Sequence, residues 1–179
     1  MPYSKYLCLA AMFLLGAAAA PNPARAQPKP DECRSSQLKV TRPDWEDCCG
    51  LSHYGTVVQV TNSAEQPCQL TGAPRLRLLD ASGHPVNIAV CPSCTDYTFQ
   101  AKPAKPVILH RGGSAYFLLG FTVDDPDRPC GKVASFDVLS ADGRPLRIEL
   151  NKDAAQMAPV CDFNVTAWRK GPHQTDANY

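Results

Sequence analysis

Between Tyr54 and Ala167 an apolar pattern with period two keeps returning in separate stretches, and this period decides the fold class. Tyr54, Thr56, Val58 and Val60 alternate with Gly55, Val57, Gln59 and Thr61, and Leu76 and Leu78 alternate with Arg75 and Arg77. Ala115, Phe117, Leu119 and Phe121 share one face of the most apolar stretch, with Ser114, Tyr116, Leu118 and Gly120 opposite. Ala134, Phe136 and Val138, then Leu146, Ile148 and Leu150, then Phe163, Val165 and Ala167 repeat the pattern. Successive side chains of a strand point to opposite faces, so each stretch reads as a strand with one buried side. Turn signals separate them: Asn62-Ser63, Ser82-Gly83, Gly112-Gly113, Asp124 to Pro129 and Asp142-Gly143. The last suits a tight turn between two short strands, where positive φ is needed. Beyond the N-terminal region no apolar set recurs at three and four spacing over ten or more positions, and residues 152–158 leave room for one helical turn at most. The expected fold is all-β: a two-sheet, immunoglobulin-like sandwich of about seven to nine strands, because a strand with one apolar face must bury it against another sheet.

The N-terminal region reads differently. Lys5 precedes an apolar run from Leu7 to Ala20, followed by Ala24-Arg25-Ala26, the small-x-small pattern that a signal peptidase accepts. The run is 14 residues long, short of the roughly 20 that a bilayer-spanning helix needs. Residues 1–26 are therefore expected to be a signal peptide, 27–32 a Pro-rich flexible leader, 33–170 the β-sandwich domain and 171–179 a flexible tail. No membrane span is expected in the mature chain.

Removing the signal takes Lys5 and Arg25 from the 18 cations and leaves all 17 acids, a balance of −1. Such a surface lacks the strong positive charge that drives nonspecific binding to nucleic acid, so none is expected as a partner. Cys8 leaves too, and eight of the nine cysteines remain: Cys33, Cys48, Cys49, Cys68, Cys91, Cys94, Cys130 and Cys161. An even number in an exported chain reads as a disulfide framework, which fits a secreted or periplasmic location.

The residues also resemble a family. An early Cys33, the strand from Val57 to Asn62, the segment Pro67-Cys68-Gln69-Leu70-Thr71-Gly72, Gly112-Gly113-Ser114-Ala115, Cys130 and a late Cys161 appear in that order. This is similar to an exported bacterial domain of unknown function found in actinobacterial secreted proteins and lipoproteins. The resemblance spans Cys33 to Trp168 and implies an immunoglobulin-like sandwich with no established activity. Arg111 stands where the pattern has Pro, and Cys48, Cys49, Cys91 and Cys94 look like additions.

Cys68 follows the Asn62 turn and Cys130 precedes the Phe136 strand, so a Cys68–Cys130 bridge is expected. Cys33 and Cys161, read as opening the first and last strands, are expected to pair as well. Cys91-Pro92-Ser93-Cys94 has the spacing of thiol-exchange centres and zinc ligands. Thr95 to Phe99, Pro103 and Pro106 are poor helix formers, which argues against a sulfur activated by a helix N-terminus. Adjacent Cys48 and Cys49 suit one tetrahedral ion poorly. Two further disulfides between the Trp45–Gly50 loop and the Cys91–Cys94 loop are expected instead, with a thiol-redox or metal-binding protein using these four cysteines as the alternative.

Other constellations carry less. His53, His84, His110 and His173 are scattered, and no nucleophile elbow, zinc-protease helix or phosphate loop occurs. Asp124-Asp125-Pro126-Asp127 lacks the regular spacing of a calcium loop and reads as a solvated turn. No catalytic residue, metal or cofactor is expected. The sequence thus points to a non-catalytic module, binding or structural, of the cell envelope or exterior; the loops carrying Trp45 and Tyr97 are its candidate binding surface, with packing of both aromatics over the disulfides as the alternative.

Overall fold

A computed structural model describes residues 28–41, 48–50, 52–95, 103–150 and 159–171. The expected signal peptide, Trp45, Tyr97 and residues 152–158 lie outside the described residues.

The described residues are all-β, as the periodicity predicts. A 3₁₀ turn at Ser35–Gln37 leads into β1 (Leu38–Thr41), followed by β2 (Cys48–Gly50), β3 (His53–Asn62), β4 (Cys68–Leu70), β5 (Arg75–Leu79) and β6 (Ala89–Pro92). Then come β7 (Val107–Leu109), β8 (Ser114–Val123), β9 (Ser135–Leu139), β10 (Pro145–Glu149) and β11 (Val160–Val165). The count exceeds seven to nine because β2, β4 and β7 are strands of three residues in stretches too short to show a period.

The large sheet runs β1-β3-β8-β11-β6, with β2 also paired to β3. Its pairings are antiparallel except β6 beside β11. A second sheet has the order β10-β9-β5, and β4 pairs with β7. One core joins all three: Phe117 and Phe163 from the large sheet, Phe136 and Ile148 from the second, and Leu70, Val107 and Leu109 from the third. Phe117, Phe136 and Phe163 are fully buried, each contributing about 1.5–3 kcal/mol by leaving water. The alternation places these side chains as expected, with Ala115, Phe117, Leu119 and Phe121 in the core. On the other face of β3 and β8, Val57 and Leu118 form a second small cluster.

The residues that carry the family resemblance turn out to hold connections. Asn62 is buried, donates from its side-chain amide to the carbonyls of Gln66 (2.9 Å) and Leu109 (3.0 Å), and accepts from the Ala64 N–H (3.0 Å). Its backbone bonds both Gly112 and Gly113. Gly112 has φ +72°, and a Cβ on Gly113 would stand 2.9 Å from the His110 carbonyl oxygen, so this turn requires glycine.

Two expected disulfides are corrected. Cys33 bonds Cys68 and Cys130 bonds Cys161, in place of Cys68–Cys130 and Cys33–Cys161. The first and last strands are not neighbours, because β3 and β8 stand between β1 and β11. Each actual bridge instead joins segments already hydrogen-bonded to each other. The Cys33 N–H donates to the Gln69 carbonyl and the Gln69 N–H to that of Asp31, both at 2.9 Å, while Gly131 and Val160 exchange bonds of 2.8 and 2.9 Å. The bridges close 35 and 31 positions, which corresponds to about 4 kcal/mol each in the chain-entropy account.

The expected links between the Trp45–Gly50 loop and the Cys91–Cys94 loop are also corrected: Cys91 bonds Cys94. β2 lies at one edge of the large sheet and β6 at the other, with β3, β8 and β11 between them. The same separation sets the backbones of β2 and β6 four strands apart.

Candidate functional site

The strand pairing beside β8 continues past β11 with one residue too many. The Thr166 N–H donates to the Leu118 carbonyl, and Arg169 and Tyr116 exchange backbone bonds of 2.9 Å. Two steps along β8 are thus matched by three along the C-terminal segment, a bulge at Ala167 and Trp168. The Thr166 hydroxyl accepts the Leu118 N–H at 2.9 Å, so the side chain takes up the donor that the irregular ladder leaves. The Trp168 N–H turns away from β8 to the Gly72 carbonyl at 3.0 Å. Bulges re-aim side chains in this way. The indole meets Phe117 edge to face, with ring centroids 5.1 Å apart.

Trp168 thereby lines a groove of about 610 Å³ whose walls are Pro103, Lys105, Pro106 and Val107 on one side and Ala167, Arg169 and Lys170 on the other. The two prolines lack N–H groups and favour extended backbone, which keeps the first wall open along its length. Among the described residues that line it stand three cations and no carboxylate. Apolar side chains beside cations suit an extended segment carrying negative charge.

A second, polar cleft of about 440 Å³ is lined by His53, Cys94, Thr95, Thr122, Asp125, Arg128, Asp162 and Asn164. Arg128 spans the two acids: its Nε is 3.1 Å from Asp125, and its Nη1 bonds Asp162. Asp162 also accepts the Thr122 N–H at 3.1 Å, and His53 Nδ1 stands 3.4 Å from the Thr122 hydroxyl. Asp125 caps its own turn by accepting from the Asp127 N–H at 3.0 Å.

Asp137 is fully buried. It lies in register with Arg77 on β5 and Arg147 on β10. Arg77 approaches one oxygen at 2.6 Å and Arg147 the other at 3.0 Å. Burial pushes its pKa up, but the two guanidinium groups outweigh burial and hold it below the ordinary carboxylate value. With both oxygens occupied, this carboxylate is an ionic clasp across three strands. Among the described residues no group of three or more His, Cys, Asp and Glu side chains is placed to hold a metal.

The sequence-expected site residues are dispersed. Cys33, Cys68, Cys130 and Cys161 are bridged within the sandwich. Cys48 and Cys49 belong to β2, and Trp45 and Tyr97 fall outside the described residues. Trp168, Lys105 and Lys170 were not singled out by sequence reasoning. The signals present were the extended Pro103-Ala104-Lys105-Pro106 stretch and the run Trp168-Arg169-Lys170, but nothing local shows that these two face each other.

Residues 33–169 match the model of a family described as a domain of unknown function, DUF4232. No curated protein and no solved structure matches the chain.

Proposed function

The chain belongs to the DUF4232 family, and from that premise we propose that it is an exported, non-catalytic recognition module whose groove at Trp168 binds an extended, acidic segment of a protein partner outside the cytoplasm. The observation that carries this reading is the set of groove residues: an indole and two prolines beside Lys105, Arg169 and Lys170, with no carboxylate among the described lining residues. Apolar contact supplies affinity, and the exposed Lys105 and Lys170 select charge and speed encounter. The motif residues Asn62, Gly112, Gly113, Cys68 and Cys161 are occupied by turns and bridges, which supports a scaffold that presents a surface. Export is supported by the Leu7–Ala20 run before Ala24-Arg25-Ala26 and by three disulfides, bonds that persist in oxidising compartments. Among the described residues, no helix is long and apolar enough to cross a membrane.

Calorimetric titration with a Glu-rich extended peptide and its Gln-substituted counterpart tests the groove. The Glu peptide is expected to bind with the higher affinity, to weaken as salt rises, and to lose about tenfold or more in the Lys105→Glu, Lys170→Glu double variant. Equal binding of both peptides, or unchanged binding by the variant, would overturn the reading. Export is checked by N-terminal sequencing of the extracytoplasmic protein, which is expected to begin at Gln27.

A further inference from the structure

We propose that Cys91–Cys94 is an exchangeable disulfide, which a partner dithiol opens by attack on Cys94 in the polar cleft. This inference stands apart from the groove reading and uses none of its residues.

Three independent observations carry it. First, both sulfurs belong to residues that are partly exposed, whereas Cys33, Cys68 and Cys161 are 1–2 % exposed, so of the three bridges among the described residues this one offers access at both ends. Second, the bridge closes just 3 positions, so opening it releases far less chain than opening either of the others. Among the described residues its strand β6 is the outermost of the large sheet and pairs with β11 alone. The Ser93 N–H fixes the intervening turn to the Val165 carbonyl at 2.7 Å. The sheet therefore keeps its register whether or not the sulfurs are joined. Third, Cys94 lines a cleft that already holds His53, Thr122, Asp125, Arg128 and Asp162, groups able to take part in hydrogen bonds with an incoming segment.

The exchange balances as follows. One thiol of the partner loses its proton to water, and its thiolate attacks the Cys94 sulfur. A partner–Cys94 mixed disulfide forms as the Cys91–Cys94 bond breaks, and the Cys91 thiolate leaves and takes up a proton. The partner's second thiol then loses its proton to water, its thiolate attacks the partner's first sulfur in the mixed disulfide, and the Cys94 thiolate leaves and takes up a proton. The dithiol is oxidised by two electrons and the protein disulfide is reduced by two, one partner per chain. Two carboxylates against one guanidinium in the cleft disfavour an anionic dithiol, so the partner segment is neutral or cationic around its cysteines.

The test titrates the intact wild-type protein with dithiothreitol, a neutral dithiol, followed by alkylation and peptide mapping that reports each cysteine separately. Cys91 and Cys94 are expected to become alkylated at about tenfold less reductant than Cys33, Cys68, Cys130 and Cys161, with far-UV circular dichroism unchanged. Opening of this bridge together with or after the others, or loss of the β signal as it opens, would sink the proposal. In a second arm, Cys91→Ser leaves the Cys94 thiol and Cys94→Ser leaves Cys91. The Cys94 thiol is expected to exchange with neutral dithiodipyridine about tenfold faster than the Cys91 thiol. Equal rates, or a faster Cys91, would overturn the assignment of the attacked sulfur.

Discussion

Cys48 and Cys91 stand at the two ends of a single cross-strand row. Cys48 is in register with Gly55, Gly55 with Gly120, Gly120 with Asn164, and Asn164 with Cys91. Four strand spacings separate the ends, roughly 19 Å between backbones, well beyond the reach of a disulfide. Proteolysis without reductant is therefore expected to yield the linked pairs Cys33–Cys68, Cys91–Cys94 and Cys130–Cys161. A peptide joining Cys48 or Cys49 to Cys91 or Cys94 would contradict the sheet order.

Asn62 and Gly113 are expected to be as sensitive as core positions although neither is apolar. Asn62→Ala leaves the Gln66 and Leu109 carbonyls and the Ala64 N–H without their side-chain partner and is expected to cost about 1–3 kcal/mol. Gly113→Ala drives a Cβ against the His110 carbonyl and is expected to destabilise too. Urea denaturation checks both, and a midpoint like that of wild type for either variant would remove the role assigned to this turn.

The Asp137 clasp makes a pH-dependent contribution whose sign is set by its lowered pKa. The stabilisation is complete above the ordinary value of 3.8 and is lost as pH falls through the folded value, because the unfolded chain takes up the proton first. Asp142, which accepts from Ser140, from the Ser35 hydroxyl at 2.8 Å and from the Ser35 N–H, is also held well below its ordinary value, chiefly by Ser140 and Ser35. It acts in the same direction. Asp137→Asn is expected to cost about 1–3 kcal/mol at neutral pH, and the gap from wild type is expected to narrow as the solution is acidified. Denaturation at several pH values measures it; a gap that widens in acid would be incompatible with the clasp.

Phe117 couples the core to the groove. Phe117→Ala is expected to cost about 3–5 kcal/mol and to shift the emission of Trp168 to the red, since the indole loses its edge-to-face partner. Phe136→Ala, equally buried but on β9, is expected to cost a similar amount with a smaller spectral change. Chemical denaturation and fluorescence of the folded variants report the two effects separately.

The strands whose side chains alternate over five or more residues, namely β3, β5, β8, β9, β10 and β11, were legible from sequence together with the faces they bury. Period two is a local property of the chain, and the core simply enforces it. The tight turn at Gly143, with φ +73°, was legible for the same reason. Disulfide partners were not, because the entropy of closing a loop changes only logarithmically with its length and barely distinguishes one connectivity from another. What chose them was adjacency: Cys33 beside Cys68 through the Asp31–Gln69 bonds, and Cys130 beside Cys161 through Gly131 and Val160. The groove depends on the same kind of information. Lys105 and Lys170 become neighbours only once β7 has paired with β4 and the bulge at Trp168 has turned the C-terminal segment. Alternation along the chain thus determined which elements form and which side of each is apolar. Long-range pairing, which no single segment encodes, decided which sulfurs meet and which charges gather around one indole.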